Sequence, residues 1–225
     1  MVDFLVITAH PDDETAVAGL LLKAKNEGYT TGLVCLTKGE SGGFATKEER
    51  VKEFNDAGKA LGLDFMRILD FPDAGIEVTE EGVQSLIPIL RECEARTILT
   101  IHPDDYHPDH RAVSALVDRA VFVSGLKKYS TDGRTWHPSQ VLFFSLDPKR
   151  NAKRPDIVLD ISDVEKQWRQ VIASYPSQAI EPMLETWARY HGMLGGFALA
   201  EGLYHQQPLR LEDAGSLLNS SKSGR

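Results

Sequence analysis

Two cysteines in 225 residues are too few for a disulfide framework, and Cys35 and Cys93 have no spacing that pairs them around a metal. They read as reduced core thiols, which predicts a cytoplasmic protein. No apolar run approaches the ~20 residues needed to cross a bilayer, so no membrane partner is expected. Met1-Val2-Asp3 lacks the positively charged start of a secretory signal, and the apolar run after it is strand-like. Basic residues are in the minority, 25 Lys and Arg against 33 Asp and Glu, for a net charge of −8. That balance argues against nucleic acid as a partner, because phosphate binding relies on excess Lys and Arg. No Gly-x-Gly-x-x-Gly or Walker string follows any predicted strand; the nearest Gly-rich loop, Thr37 to Gly43, lacks the Lys-Ser/Thr ending, which sets aside a nucleotide-binding module.

What is present is a chain able to bury one large core, with 42% hydrophobic residues. We expect a single domain over residues 1–213, followed by a Ser- and Gly-rich tail, 214–225, that stays disordered. Short β-branched runs alternate with helical periodicity, the signature of a parallel sheet with crossover helices. The pattern predicts strands near residues 3–9, 31–36, 66–70, 97–101, 141–145 and 157–160. Helices are predicted near 13–27, 47–61, 79–94, 108–126, 162–174 and 183–195, with Gly28 and Gly62 as closing glycines. The expected fold class is therefore α/β: a Rossmann-like, mostly parallel sheet with helices on both faces and a site at the carboxyl ends of its strands.

Two strings occupy such strand ends. Ala9-His10-Pro11-Asp12-Asp13-Glu14 follows Phe4-Leu5-Val6-Ile7, and His107-Pro108-Asp109-His110 lies just beyond Thr97-Ile98-Leu99-Thr100-Ile101. His10 and Asp13, three apart across a loop-to-helix junction, can turn toward one ion, and Pro108 suits the first turn of a helix that puts His107 and His110 on one face. A His, a carboxylate and a second His make a three-ligand site with a position open for water, the arrangement of a catalytic zinc. The neighbouring carboxylate of Asp12, where it is not a ligand, can take the proton of that water. Each string alone could be only a helix start or a polar turn; their joint placement is what points to chemistry. His102-Pro103-Asp104-Asp105 repeats the first motif two residues before His107, and we read it as the strand end and loop that deliver the second motif.

On these residues the chain resembles the LmbE-like, or PIG-L, family of zinc-dependent N-acetylglucosaminyl deacetylases, and most closely its bacillithiol-pathway branch acting on N-acetylglucosaminyl malate. The resemblance runs from Asp3 to about Glu201. It implies a metal-dependent amidohydrolase that removes acetyl from a small-molecule N-acetylglucosaminide, working as a homo-oligomer, in that branch often a hexamer. By the same resemblance His10, Asp13 and His110 are the zinc ligands and Asp12 is the general base. His107 stabilises the oxyanion or protonates the leaving amine, with Asp109 orienting it. Arg50 holds the sugar and Asp73 accepts its hydroxyls, while Thr37-Lys38-Gly39-Glu40 matches the family loop after the second strand. Iron(II) or cobalt also suit such a donor set, so the metal is open on chemistry alone. Departures are Pro176 inside Tyr175-Pro176-Ser177-Gln178, and Leu199 where relatives carry a tyrosine; Tyr204 is the candidate replacement. The remaining alternative is a non-catalytic metal- or sugar-binding α/β module.

Overall fold

The computed structural model describes residues 1–129, 133–147 and 153–205; the expected tail at 214–225 lies outside them. Seven strands form one sheet: β1 (Phe4–Thr8), β2 (Thr31–Cys35), β3 (Phe65–Ile68), β4 (Thr97–Ile101), β5 (Gln140–Phe144), β6 (Ile157–Asp160) and β7 (Ala200–His205). Six helices connect them: α1 (Ala18–Asn26), α2 (Lys47–Leu61), α3 (Glu80–Cys93), α4 (Pro108–Ser124), α5 (Glu165–Ile172) and α6 (Glu181–Gly195). The strand order is β3-β2-β1-β4-β5-β7-β6, parallel through β5, with β7 antiparallel to both its neighbours. The chain thus starts in mid-sheet, winds outward to β3, then crosses back to β4 on the other side of β1. That reversal is the crevice where open α/β sheets bind ligands.

The continuous apolar runs explain the central strands. Every residue of β2 and β4 is buried, and Leu5, Val6 and Ile7 of β1 are wholly inaccessible, as a sheet covered on both faces requires. Helix α3 packs on α4, and α1 and α2 each pack on α5. Helix α2 opens with a reciprocal capping box between Thr46 and Glu49 and closes at Gly62 in the left-handed conformation. Pro108 stands in the first turn of α4, which costs no hydrogen bond there.

Three elements differ from the sequence reading, one of them the helix expected from residue 162, which begins as a 3-10 turn, Ser162–Val164. The helix expected from residue 13 begins instead as a 3-10 turn, Asp13–Val17, because the Asp13 carboxylate folds back onto the N–H groups of Ala9 and His10 at 3.1 and 2.8 Å. Strand β7 is absent from the sequence pattern. Ala200-Glu201-Gly202-Leu203-Tyr204-His205 has no β-branched residue and places a carboxylate in the core. Glu201 is tolerated there because its oxygens accept the N–H groups of Gly19 and Leu20 at the start of α1, at 2.6 and 2.8 Å. Gly19 permits that approach: a Cβ there would lie 2.8 Å from the Glu201 carboxylate and 2.5 Å from Ile161.

Candidate metal centre and active site

The loop after β1 and the start of α4, beyond β4, meet at the crevice. His10 Nδ1 lies 3.3 Å from His110 Nε2, the Asp13 carboxylate is 3.6 Å from the first, and it is 3.4 Å from the second. Those separations, to Asp13 Oδ2 from His10 and to its Oδ1 from His110, are close to the roughly 3.3–3.4 Å between neighbouring donors around a tetrahedral ion with ligand bonds of about 2.0–2.1 Å. His10, Asp13 and His110 are thus a set that could hold one ion. A second set, His10 with His107 and Asp109, is also within reach of one centre. Its Asp109 oxygens, however, already accept the N–H groups of Ala74 and Ile76, at 2.8 and 3.2 Å.

The far nitrogen of each histidine in the first set faces a carboxylate. His110 Nδ1 is 3.0 Å from Asp105 Oδ1, and His10 Nε2 is 3.1 Å from Asp73 Oδ1 and 3.2 Å from Asp109 Oδ2. A carboxylate behind a histidine fixes the tautomer and leaves the other nitrogen's lone pair for a metal. The geometry departs here from the sequence reading in three ways. The Asp109 carboxylate meets His10 rather than His107, which instead accepts the Asp109 backbone N–H on Nδ1 at 3.2 Å as the helix cap. Asp73, expected on the sugar, turns inward to His10 because its other oxygen takes the Ser41 N–H at 2.6 Å. Asp105, read as part of a delivering loop, contacts a member of the set.

The Thr37-Lys38-Gly39-Glu40 loop braces these groups. Thr37 donates to the Ala9 carbonyl at 2.9 Å, Lys38 pairs with Asp70 at 2.6 Å, and Glu40 accepts the Asp73 N–H at 3.2 Å. Gly39, at φ +67°, is needed because a Cβ would sit 2.9 Å from Arg50 Nε. Arg50 itself is buried, its side chain 4% exposed; it donates to the Pro11 carbonyl and lies 3.5 Å from Asp12 Oδ2. That places it behind Asp12, with its Nε and Nη1 buried and without a hydrogen-bond partner among the described residues.

Asp12 is the more exposed member of the acidic pair, its side chain 17% accessible against 6% for Asp13. Burial and the adjacent Asp13 charge push its carboxyl up to about 8. Asp13 falls far below the usual range, burial being outweighed by His110 and His10. His10 rises to about 11, since Asp13 and Asp73 overcome the cost of burial. The pocket thus favours positive charge between these groups. His107 goes the other way, lowered by burial and by His110 and His10. Its neutral ring, with Nδ1 accepting a backbone N–H, carries its proton on Nε2 and can donate to a developing oxyanion. The His107 ring stacks on His110 at 4.6 Å and stands edge-on to His10 at 4.9 Å.

Tyr204 lies over His102, with ring centroids 4.9 Å apart, and its hydroxyl donates to the Lys153 carbonyl at 3.3 Å. Its hydroxyl is thus engaged by the Lys153 backbone, and Leu199 is buried in the core. The partners that sequence reasoning missed, Asp105 behind His110 and the buried Glu14 beside Asp12, both stand within the His-Pro-Asp-Asp strings or next to them; only contacts across the loops reveal their roles.

Among known proteins, the diacetylchitobiose deacetylase of Thermococcus kodakarensis is 28% identical over 88% of this chain and 81% of that one. A probable N-acetyl-alpha-D-glucosaminyl L-malate deacetylase 2 of Bacillus cereus is 29% identical over 80% of this chain and 85% of its own. Among solved structures, the conserved protein TT1542 of Thermus thermophilus superposes with a TM-score of 0.87 at 33% identity, covering 95% of this chain and 99% of that one. Residues 5–121, just over half of the chain and including every member of the candidate centre, match the family model described as GlcNAc-PI de-N-acetylase: the chain belongs to the PIG-L family.

Proposed function

We propose that the protein is a zinc-dependent hydrolase that removes the acetyl group from a small N-acetylglucosamine derivative and releases acetate. The observation that carries this is the pairing of a tetrahedral donor face, His10, Asp13 and His110, with carboxylates behind both histidines, beside a carboxylate and an imidazole left over for proton transfer. A metal store has no use for the last two groups.

When bound, a zinc ion supplies Lewis acidity for the amide carbonyl and lowers the pKa of water toward about 7. Asp12, at the edge of the centre, takes the proton of the attacking water and delivers it to the departing amine. His107 Nε2–H donates to the oxyanion as the carbonyl becomes tetrahedral. Asp73, Asp109 and Asp105 hold the two ligand rings in place. Arg50 fixes the backbone that carries Asp12. The names of the two curated relatives support a glucosaminide substrate with either a second sugar or malate as aglycone. The buried thiols Cys35 and Cys93 support a reducing, cytoplasmic setting. Exposed apolar side chains on and after α6, among them Met193 at 71% and Phe197 at 37%, support a homo-oligomer.

The test is a panel. Zinc-loaded protein is offered N-acetylglucosamine, N,N′-diacetylchitobiose and N-acetylglucosaminyl malate, and free amine is measured. Turnover of at least one, with one acetate per amine, is expected; binding without amine release from any of them would favour the non-catalytic module.

A further inference from the structure

Asp12 is one of four described residues other than glycine with a positive φ, at 107°. L side chains avoid that region, so a non-glycine residue persists there only when its surroundings over-determine it. Hydrogen bonds fix the backbone on both sides of it. The Asp12 N–H donates to Glu14 Oε2 at 3.1 Å. Its carbonyl accepts the N–H and the hydroxyl of Thr15, at 3.0 and 2.5 Å. The preceding carbonyl, of Pro11, accepts from Arg50 Nη2.

Two of these holds lead to one side chain. Glu14 is completely buried, and its other oxygen, Oε1, accepts the hydroxyl of Tyr175 at 2.5 Å. The Tyr175 ring lies 6.0 Å from the Arg50 guanidinium. Tyr175 is 1% exposed and sits in the turn after α5, its N–H bonded to the Ile172 carbonyl at 3.0 Å. It reaches the centre from 161 residues away and is in neither candidate metal set.

We propose that Tyr175 is a positioning residue for the general base: through Glu14 and Arg50 it locks the backbone on either side of Asp12 in the left-handed conformation that aims the carboxylate at the attacking water. Glu14 is then a rigid strut whose two oxygens are assigned, one to the hydroxyl and one to the Asp12 N–H. The inference rests on the reading of Asp12 as the base.

Tyr175→Phe removes the hydroxyl and keeps the ring. On a glucosaminide that wild type turns over, its kcat should fall by about tenfold or more, the scale expected when a reacting group is misplaced by a fraction of an ångström. KM should stay within about twofold and bound zinc at wild-type stoichiometry. In an Asp12→Asn background the same change should alter the residual rate less than about twofold, because nothing remains to be aimed. A crystal structure of Tyr175→Phe should show Asp12 leaving positive φ. Glu14→Gln, which keeps the shape and replaces one accepting oxygen, should reproduce the kcat loss and serves where Tyr175→Phe does not fold. Unchanged kcat with a lower melting temperature would overturn the proposal, as would an equal loss with and without Asp12. If wild type turns over no glucosaminide, the proposed function fails instead, and the Asp12 φ in the variant structure still decides whether Tyr175 holds it.

Discussion

The sequence His-Pro-Asp-Asp occurs twice, at residues 10–13 and 102–105, at the carboxyl ends of the adjacent parallel strands β1 and β4. The local fold starts the same way in both: the N–H of the fourth residue reaches back to the carbonyl of the first, at 3.4 Å for Asp13 and 3.2 Å for Asp105. From there they diverge. His10 turns its ring into the crevice, while His102 uses Nδ1 to accept the Asp104 N–H at 3.1 Å and buries its ring against Phe143 and Tyr204. Asp12 is held at φ +107° beside Arg50, whereas Asp104 is 61% exposed and pairs with Lys153 at 3.0 Å. Asp13 folds back onto its own loop and joins the donor set; Asp105 points forward, accepts the His107 N–H at 2.9 Å and stands behind His110. On the proposed function, four identical residues therefore serve as ligand, base and ligand in one place, and as packing, surface charge and support in the other. The chain just beyond each string decides: the first runs directly into a turn of helix, the second leads through Tyr106 to the cap of α4.

Substitutions in matched pairs sharpen this contrast. The largest separation is expected at the first position. His10→Ala should come out of dialysis without zinc and without activity, as should His110→Ala, while His102→Ala keeps stoichiometric metal and turns over normally. An empty His102→Ala would put the second motif's ligand at the wrong histidine. At the third position, Asp12→Asn should retain zinc and lose about two to four powers of ten in kcat, the usual span for removing a general base, and Asp104→Asn should change nothing. Zinc loss in Asp12→Asn would mean that the ligand and base roles of Asp12 and Asp13 are exchanged. His107→Ala belongs with Asp12→Asn: metal-replete and slow. The smallest contrast lies at the fourth position. Asp13→Asn should abolish binding, and Asp105→Asn should weaken zinc affinity by about 10–100-fold in a competition titration against a chromophoric chelator, as orienting carboxylates do. Equal affinities for Asp105→Asn and wild type would leave Asp105 as a loop anchor only.

The same contrast marks how far the sequence could be read. Parallel strands, crossover helices and the two strand-end motifs are local patterns, legible because buried strands are apolar runs and Pro108 marks a helix start. Strand β7 is not legible in that way, since Glu201 and Gly202 are explained only by the start of α1 and the His191 ring lying against them. Nor could the sequence tell which carboxylate stands behind which histidine. Asp73 and Asp109 both converge on His10 because the loop after β3 offers the Ala74 and Ile76 N–H groups to Asp109, and the Ser41 N–H ties Asp73 inward. Such choices depend on the meeting of three loops, each from a different strand. Arg50 is similar: a helix position reads as exposed or buried only when the neighbouring Gly39 loop is seen to close over it.

Dependence of amide hydrolysis on a metal held by the three donors between β1 and β4 is tested most directly by measuring amine release from N,N′-diacetylchitobiose and N-acetylglucosaminyl malate. The protein is assayed as purified, stripped by chelator, and reconstituted with one equivalent of zinc. Activity should disappear on stripping and return at one zinc per chain. Amine release that survives complete metal removal, or none from a protein carrying one zinc at His10, Asp13 and His110, would contradict a metal-dependent deacetylase.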